Sequence, residues 1–312
     1  SKQASKQASK QASKQASNQY CAIDIMKFLM AICVVAIHTG PLYGCTANIQ
    51  NFVYNQWFAL AVPFFFIAAG FLLGEKYLKG ALAFGDVLKN YRNSLIKIYV
   101  LWSIIYIPLA VHGFKLGSYS LIRGFRSYVI NLIFTGEHYN SWPLWYLLSS
   151  IYAVELLLIL RGFVKDKYVE KCLFIAVWFG MLSYLLDDFS QYGTHTNFME
   201  NEIAEIMENS IRNGRLLRGC LFIPIGLFIS KYKDICNIKN GVSLFIVFSI
   251  INYCTDNHLL RAAAIAVSAC GLFIISMCMN LKYLPIWGIL RRSLISFLYV
   301  EVERHIRMIR KI

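Results

Sequence analysis

Residues 22–41 read AIDIMKFLMAICVVAIHTGP, an apolar run long enough to cross a bilayer. Lys27 lies near its start and His38 near its end, eleven positions later. At about 100° and about 1.5 Å per residue, the two side chains share one helix face and differ by about 16 Å in depth. Ionisable groups inside a membrane helix mark a functional path by default. The alternative is a structural histidine that a neighbouring helix satisfies.

The rest of the chain has the composition of a polytopic membrane protein. Of its 312 residues, 57% are hydrophobic and only 15% are charged, and the mean hydropathy is +0.51, whereas soluble proteins carry about 25% charged residues. We therefore expect an all-α, multi-pass membrane helical bundle of about 8–10 transmembrane helices. The net charge of +14 arises from basic residues at the ends of apolar segments, which indicates membrane orientation and no nucleic-acid binding.

The nine cysteines form no CxxC pair, and most of them lie in apolar runs. We interpret them as small apolar residues, so we expect neither a disulfide framework nor a metal site. The sequence also has no glycine-rich phosphate loop and no metal-spaced cluster of histidines and cysteines.

The two ends of the chain differ from its apolar body. Residues 1–17 are four copies of the tetrapeptide Ser-Lys-Gln-Ala followed by Ser, and Asn18-Gln19 resembles a decayed fifth copy. Such a repeat cannot build a core and predicts a disordered tail. The tetranucleotide GCAA read in triplets encodes this repeat, so gain or loss of one unit would shift the reading frame, as in a phase-variable switch. A tag or neutral low complexity is the alternative. The predicted domains are the tail at 1–19, a membrane domain at 20–300 and a basic tail at 301–312.

Apolar runs and loop charges predict the topology. Beyond the first span at 22–43, spans are expected at about 52–74, 98–112, 142–160, 172–186, 216–230, 241–255, 262–280 and from about 285. The basic N-terminus and a basic loop at 75–97 are predicted to be cytoplasmic. Residues 118–135 either span or lie at the interface. Only a non-spanning segment keeps the basic loop 161–171 inside and the acidic loop 187–208 outside, so we favour that alternative.

The candidate catalytic group is His38, the histidine that lies within a clear span. A neutral imidazole is a good general base near neutral pH. Lys27, Arg92 and Lys97 lie at the predicted cytoplasmic face, where they are candidates for binding an anionic donor such as a nucleotide phosphate. For each of these residues, simple anchoring by the positive-inside bias is the alternative.

Two further charged residues are candidates for substrate contact. Glu155 lies among leucines and either completes a proton path or pairs with a basic neighbour, which is the interpretation we favour. Arg212 opens a group with Arg215 and Arg218 before a span on the predicted outer side. This placement opposes the positive-inside bias and points to contact with a substrate.

Five sequence features follow one another along the chain: Lys27 with His38 eleven positions later, PFFFIAAGFLL from Pro63, RNSLIKIYVLW from Arg92, WPLWY from Trp142, and Arg212-Asn-Gly. This ordered set, over about residues 20–300, resembles the acyltransferase-3 family of integral membrane acyltransferases. The family usually has arginine where this chain has Lys27. The family's last helix ends with a histidine pattern, whereas here a charged tail follows, so no role is assigned to His305.

The resemblance implies transfer of an acyl group, commonly acetyl from cytoplasmic acetyl-CoA, to a sugar of a surface glycan. It implies His38 as the catalytic residue and Lys27, with Arg92 and Lys97, in donor binding. Together with the repeat, it favours a phase-variable lipopolysaccharide O-acetyltransferase of the cell inner membrane. Its partners would be membrane lipid and the glycan or lipopolysaccharide acceptor.

Two local stretches are also similar to another group of membrane proteins. AIHTGPL and KIYVLWS resemble the membrane half of VanT-type serine racemases, whose fused racemase domain has no counterpart in this sequence. This similarity leaves open a transport module for a small molecule such as an amino acid. A purely structural membrane protein is a third alternative.

Overall fold

The computed structural model describes residues 20–80, 82–116, 120–136, 144–163, 169–192 and 215–279. These residues form helices and no strands. The helices are α1 (Cys21–Thr39), α2 (Ala47–Gln56), α3 (Ala61–Lys79), α4 (Phe84–Leu116), α5 (Leu121–Phe134), α6 (Leu144–Phe163), α7 (Val169–Tyr192), α8 (Arg218–Lys231), α9 (Ile238–Cys254) and α10 (His258–Cys278). Short 3₁₀ turns at Phe58–Leu60 and Arg215–Leu217 lead into α3 and α8.

Five segments of the described chain are long and apolar enough to cross a membrane. They are Cys21–Thr39, Ala47–Lys79, Phe84–Gly113, Leu144–Gly162 and His258–Cys278. Shorter apolar stretches lie at Leu173–Leu185 and Ile238–Cys254. The prediction of an all-α polytopic bundle is confirmed, while the count of eight to ten spans stays a prediction. The repeat at 1–19, the span from about 285 and the tail at 301–312 lie outside the described residues.

The predicted basic loop at 75–97 is wrong, because most of it is helical. The helix α3 continues to Lys79 and α4 begins at Phe84. Phe84, Val87, Leu88 and Leu95 are buried and recur at helical spacing, so this segment is an amphipathic helix. Lys89 is exposed, and Arg92 is half-buried. Hydropathy alone missed this segment because its apolar residues form a stripe rather than a continuous run.

The second predicted span, 52–74, is interrupted near its start. The helix α2 ends at Gln56 and a 3₁₀ turn intervenes before α3. The break leaves the Asn55 carbonyl without its usual partner, and Nδ2 of buried Asn252, on α9, donates to it at 2.9 Å. Pro63 lies in the first turn of α3, where its missing N–H removes no helical hydrogen bond.

The ambiguous segment 118–135 forms α5, which has 14 residues. At about 1.5 Å per residue it is about 21 Å long, against about 30 Å for a hydrocarbon core, so its length favours the non-spanning alternative. Tyr99 of α4 donates its hydroxyl proton to the Leu132 carbonyl at 2.6 Å, and Tyr152 of α6 donates to that of Ile133. These bonds satisfy carbonyls that the end of α5 leaves unpaired.

The first part of the predicted acidic loop at 187–208 is wrong. The helix α7 continues to Tyr192, so Asp187 and Asp188 are helical. Residues 193–208 lie outside the described residues.

The chain divides into two compact units. One comprises Ser1–Ala68 and Tyr232–Ile312, and the other comprises Ala69–Lys231. In the first, α10 packs against α1, α9 and the Phe58–Leu60 turn, and α9 also contacts α2. The rings of Phe64 and Phe273 lie 5.5 Å apart in its core.

The second unit is built around α8, whose residues are mostly buried. The helix α8 packs against α6 and α7, α6 packs against α4, and α5 packs against α4. Small residues let these backbones approach closely, as is common between membrane helices. A Cβ atom built on Gly180 of α7 would lie 2.3 Å from the backbone nitrogen of Leu221 of α8.

Candidate functional site

The first candidate pair, Lys27 and His38, lies on α1 as the spacing predicts. The helix is continuous between them, so the two side chains occupy one face about 16 Å apart along the axis. Both side chains are partly buried. His38 occupies the last turn of the helix, and Thr39 ends it.

The end of α1 is fixed by Gly40, which adopts the left-handed conformation with φ of 57°. The Gly40 N–H donates to the Ala36 carbonyl at 3.1 Å and so closes the last turn around His38. Gly40 is buried, and a Cβ atom there would lie 2.1 Å from the ring of Tyr43. The sequence Thr-Gly-Pro therefore stops the helix two residues after the candidate catalytic group.

Lys27 is not a lone cation. Its Nζ lies 2.6 Å from Oδ1 of Asp24, three residues earlier on the same helix face. The sequence predicts Lys27 as a donor-binding cation, and its pairing with Asp24 was not predicted. The spacing was the signal, because residues three apart in a helix are neighbours.

Arg92 lies on α4 and makes an ion pair with Glu155 of α6. The distance from Arg92 Nη1 to Glu155 Oε1 is 3.3 Å, and the two side chains are 29% and 37% exposed. The Nε and Nη2 atoms of Arg92 also donate to Oδ1 of Asn93 at 3.2 Å. The favoured interpretation of Glu155, that it pairs with a basic neighbour, is therefore confirmed.

Lys97 lies one and a half turns beyond Arg92 on α4 and is exposed. Within the described part of the chain, it has no ion-pair partner. Lys89, which falls in the predicted loop at 75–97 and is not among the predicted site residues, is exposed three residues before Arg92. The two are helical neighbours, so Lys89 joins the candidate cations of α4.

A second cationic group precedes and begins α8. The Cζ atom of Arg215 lies 5.9 Å from the centroid of the Trp145 ring of α6. The Cζ atom of Arg218 lies 5.4 Å from the centroid of the Tyr184 ring of α7. Both distances are within the range of a cation–π contact.

The turn that carries these arginines is fixed to α6 by fully buried Ser149. The Ser149 hydroxyl donates to the Leu216 carbonyl at 2.8 Å and accepts from the Gly219 N–H at 2.9 Å. A Cβ atom on Gly219 would lie 2.6 Å from the Ser149 carbonyl oxygen, so glycine permits this approach. The arginines and the aromatic residues at the start of α6 are visible in the sequence, but the contact of Arg215 with Trp145 could not be predicted from it.

The predicted site residues fall into separate groups. Lys27 and His38 belong to the first unit, and Arg92, Lys97 and Glu155 belong to the second. Within the second unit the structure brings Arg92 and Glu155 together. Arg212 lies outside the described residues.

Comparison with known proteins decides the family. A family model described as an acyltransferase domain matches residues 21–299. The chain belongs to the acyltransferase-3 family. This confirms the resemblance that rests on Lys27, His38 and the stretches that follow them. The family match and the apolar helices together indicate a membrane protein of an acyltransferase family.

Curated relatives of this acyltransferase-3 member include racemases from enterococci. The chain is 29% identical over 238 residues to an "Amino-acid racemase" of Enterococcus faecalis, covering 74% of this chain and 31% of that protein. It is 23% identical over 249 residues to a "Serine/alanine racemase" of Enterococcus gallinarum, covering 78% and 34%. The chain thus spans about a third of the length of these relatives. No solved structure is significantly similar to it.

Proposed function

We propose that this membrane protein is an O-acetyltransferase of the cell inner membrane that transfers acetyl from acetyl-CoA to a sugar hydroxyl of lipopolysaccharide or another surface glycan. The observation that carries the proposal is His38 in the closed last turn of α1, within a chain matched by an acyltransferase family model over residues 21–299. The acceptor class is inferred from the tetrapeptide repeat at 1–19, because such tracts look like the phase-variable switches of surface-glycan genes.

In the proposed reaction, an imidazole nitrogen of His38 accepts the proton of the sugar hydroxyl. The hydroxyl oxygen attacks the thioester carbonyl, a C–O bond forms, and the C–S bond breaks. The leaving thiolate takes up the proton from the imidazolium, so the products are the sugar ester and free CoA. Because an alcohol is a weak nucleophile at neutral pH, this general-base step contributes about 10²- to 10⁴-fold in rate.

Donor binding is proposed for cations at the predicted cytoplasmic ends of the helices. CoA carries phosphate groups, which charge-assisted hydrogen bonds from lysine and arginine stabilise. Lys97 is exposed and fits such a role directly. Lys27 and Arg92 each already contact a carboxylate, so a phosphate that binds to either competes with Asp24 or Glu155. Arg212 is the proposed contact for the acceptor. Glu155 pairs with Arg92 at the predicted cytoplasmic face, so it lies with the donor-binding cations and not with the acceptor.

The proposal is tested by mass spectrometry of surface glycan from cells that express each variant at equal protein level. His38→Ala is expected to abolish the O-acetyl groups. His112→Ala, which removes an exposed histidine from α4, serves as the matched control and is expected to leave acetylation intact. Undiminished acetylation in the His38→Ala strain would refute the proposal.

The donor assignment has its own test. In proteoliposomes, Lys97→Gln is expected to raise KM for acetyl-CoA about 10- to 100-fold, because one charge-assisted hydrogen bond contributes about 1.5–3 kcal/mol. Lys76→Gln removes another exposed cation, near the end of α3, and serves as the control. Equal KM values for wild type and Lys97→Gln would exclude Lys97 from donor binding without affecting the role of His38.

A second candidate function is transport of a small molecule such as an amino acid. The observation that favours it is that the relatives named amino-acid racemase and serine/alanine racemase align with most of this chain. Uptake of labelled serine into proteoliposomes, unaffected by acetyl-CoA, would support transport. Acetyl transfer without uptake would support the acetyltransferase.

A further inference from the structure

The helix α5 has an outward face that the reaction proposed above does not use. Four large apolar side chains are exposed along it, those of Ile122, Phe125, Val129 and Ile133. Their spacing of three and four residues places them on one face of a helix. Ile122 is 85% exposed and Phe125 is 64% exposed, so neither side chain packs into the unit. A contiguous apolar stripe of this kind marks a surface that contacts a membrane or a partner.

Arg126 lies within this apolar face. It follows Ile122 by four residues and precedes Val129 by three, so it shares their side of the helix. Its side chain is exposed, and it makes no hydrogen bond or ion pair with the residues that the structure describes. A guanidinium group that faces hydrocarbon is unfavourable, so this position requires water or an anionic group beside Arg126.

The contacts of α5 with α4 fix the direction of this face. Tyr128 is buried, packs against Ala110 and donates its hydroxyl proton to the Ser103 carbonyl. Tyr99 of α4 donates to the Leu132 carbonyl at 2.6 Å. These contacts hold one side of α5 against α4, so the apolar face that contains Arg126 stays turned away from the unit.

The predicted topology places α5 at the outer surface of the membrane. The helix α4 leads away from the cytoplasmic face and α6 leads back to it, so a non-spanning α5 between them lies on the outer side. The positive-inside bias disfavours an arginine there. An exposed arginine within an apolar stripe on that side therefore points to an anionic partner.

A phospholipid matches both parts of this surface. Its acyl chains cover apolar side chains, and its phosphate accepts charge-assisted hydrogen bonds from a guanidinium group. A second copy of the chain is a poorer match, because the sequence of α5, LIRGFRSYVINLIF, contains no carboxylate that could neutralise a second Arg126. Water alone would leave the four apolar side chains exposed to it, which is unfavourable.

We propose that the outward face of α5 is a lipid-binding site, in which Arg126 binds the phosphate of an anionic phospholipid and the apolar stripe contacts the acyl chains. The bound lipid holds α5 at the outer surface of the bilayer, as amphipathic interfacial helices are held. The site goes beyond the proposed function, because no step of acetyl transfer by His38 uses it.

The test reports on the lipid at this face directly. Phe125→Trp places a fluorescent ring beside Arg126, and its emission is obtained by subtracting that of the wild type under the same conditions. The full chain is reconstituted in mixed bilayers of phosphatidylglycerol and phosphatidylcholine, and either lipid carries bromine on its acyl chains, because bromine quenches indole emission at short range. Quenching is expected to show about a fivefold preference for phosphatidylglycerol, which is the effect of one basic side chain beside anionic lipid.

Further variants locate the preference at Arg126. In the Phe125→Trp chain, Arg126→Gln is expected to remove the preference, and Arg126→Lys should keep most of it, because an ammonium group also binds phosphate. Arg261→Gln is the matched control, since it removes an arginine near the start of α10 that donates to the Thr255 carbonyl at 2.7 Å, and the preference should be unchanged. Ile122→Trp, one turn earlier on the same face, is an independent reporter that should give the same result.

Three results would overturn the proposal. Equal quenching by the two brominated lipids would mean that acyl chains cover the face without a bound phosphate. Absence of quenching by either lipid, with both reporters, would mean that protein such as a second copy of the chain covers it. A preference that persists in Arg126→Gln would assign the phosphate to another cation. These measurements do not involve acetylation in the His38→Ala strain, so failure here and failure of the proposed function are distinguishable.

Discussion

Replacing Gly70 by alanine tests a close helix approach in the second unit. A Cβ atom at Gly70 of α3 would lie 2.0 Å from the carbonyl oxygen of Ile223 on α8. An ordinary Cβ contact begins at 3.4 Å, so the backbones must separate by about 1.4 Å. The obstructing atom belongs to a backbone, and no rotation of a side chain relieves the clash.

The magnitude follows from the packing that this separation disrupts. A gap of about 0.5–1 Å already removes a quarter to a half of a dispersion contact. Overpacking a well-packed core commonly destabilises by about 1–3 kcal/mol, and a backbone obstruction favours the upper end. For a unit of this size, about 3 kcal/mol lowers the melting temperature by about 6–12 °C.

The assay follows unfolding on heating with a fluorogenic dye that reacts with thiols as they become exposed. Cys220 on α8 is buried and reports directly on this contact. Gly162→Ala is the matched control, because a Cβ atom there meets nothing within 4 Å. Alanine is the better helix former, so the control should melt at or slightly above the wild-type temperature. A Gly70→Ala variant that melts within about 1 °C of wild type would refute the close approach of α3 and α8.

Three further predictions concern the first unit. Gly40→Ala should lower acetylation more than Gly40→Asn at equal protein level. Asparagine tolerates the left-handed conformation that closes the turn around His38, whereas alanine is disfavoured there by about 1 kcal/mol or more. Equal acetylation by the two variants would contradict this prediction. Single-cysteine variants on spheroplasts test the predicted topology with a maleimide that does not cross membranes. The reagent should label exposed Cys45 directly, but it should label Cys236 only after the membrane is permeabilised, because the loop at 232–237 is predicted to be cytoplasmic. Burial, with a smaller effect of nearby Cys278, raises the pKa of the Cys236 thiol. Its labelling rate should therefore increase from about pH 7 to about pH 9, as the reactive thiolate forms. A labelling rate independent of pH over this range would contradict a raised pKa.

The sequence was a good guide to where apolar helices lie. Continuous hydropathy located α1, α6, α9 and α10 to within a few residues, because each carries a long apolar run. It missed the cationic half of α4, whose buried residues form a stripe between polar positions. It also joined α2 to α3, because the break at Trp57 is apolar and contains neither glycine nor proline to mark it.

The candidate site was only partly predictable for a different physical reason. The pairing of Lys27 with Asp24 is local and follows from helical spacing. The pair of Arg92 with Glu155 joins residues 63 positions apart, and that of Arg215 with Trp145 depends on how α6 meets the turn before α8. Such contacts are set by tertiary packing, which a single sequence does not specify at this level.

Pairing with a carboxylate does not disqualify Arg92 as a ligand for an incoming phosphate. The Arg92–Glu155 pair is about one-third exposed on both sides, and ion pairs exposed to this degree stabilise by about 0–1 kcal/mol. A phosphate group offers three oxygens and about −1.5 to −2 charges, so it competes well for the same guanidinium edge. If it does so, Glu155→Gln should strengthen CoA binding, because it removes the competing carboxylate. If Arg92 only supports the contact between α4 and α6, the same change should lower stability and leave CoA binding unaltered. The sign of one affinity change therefore separates a binding role for this pair from a structural one.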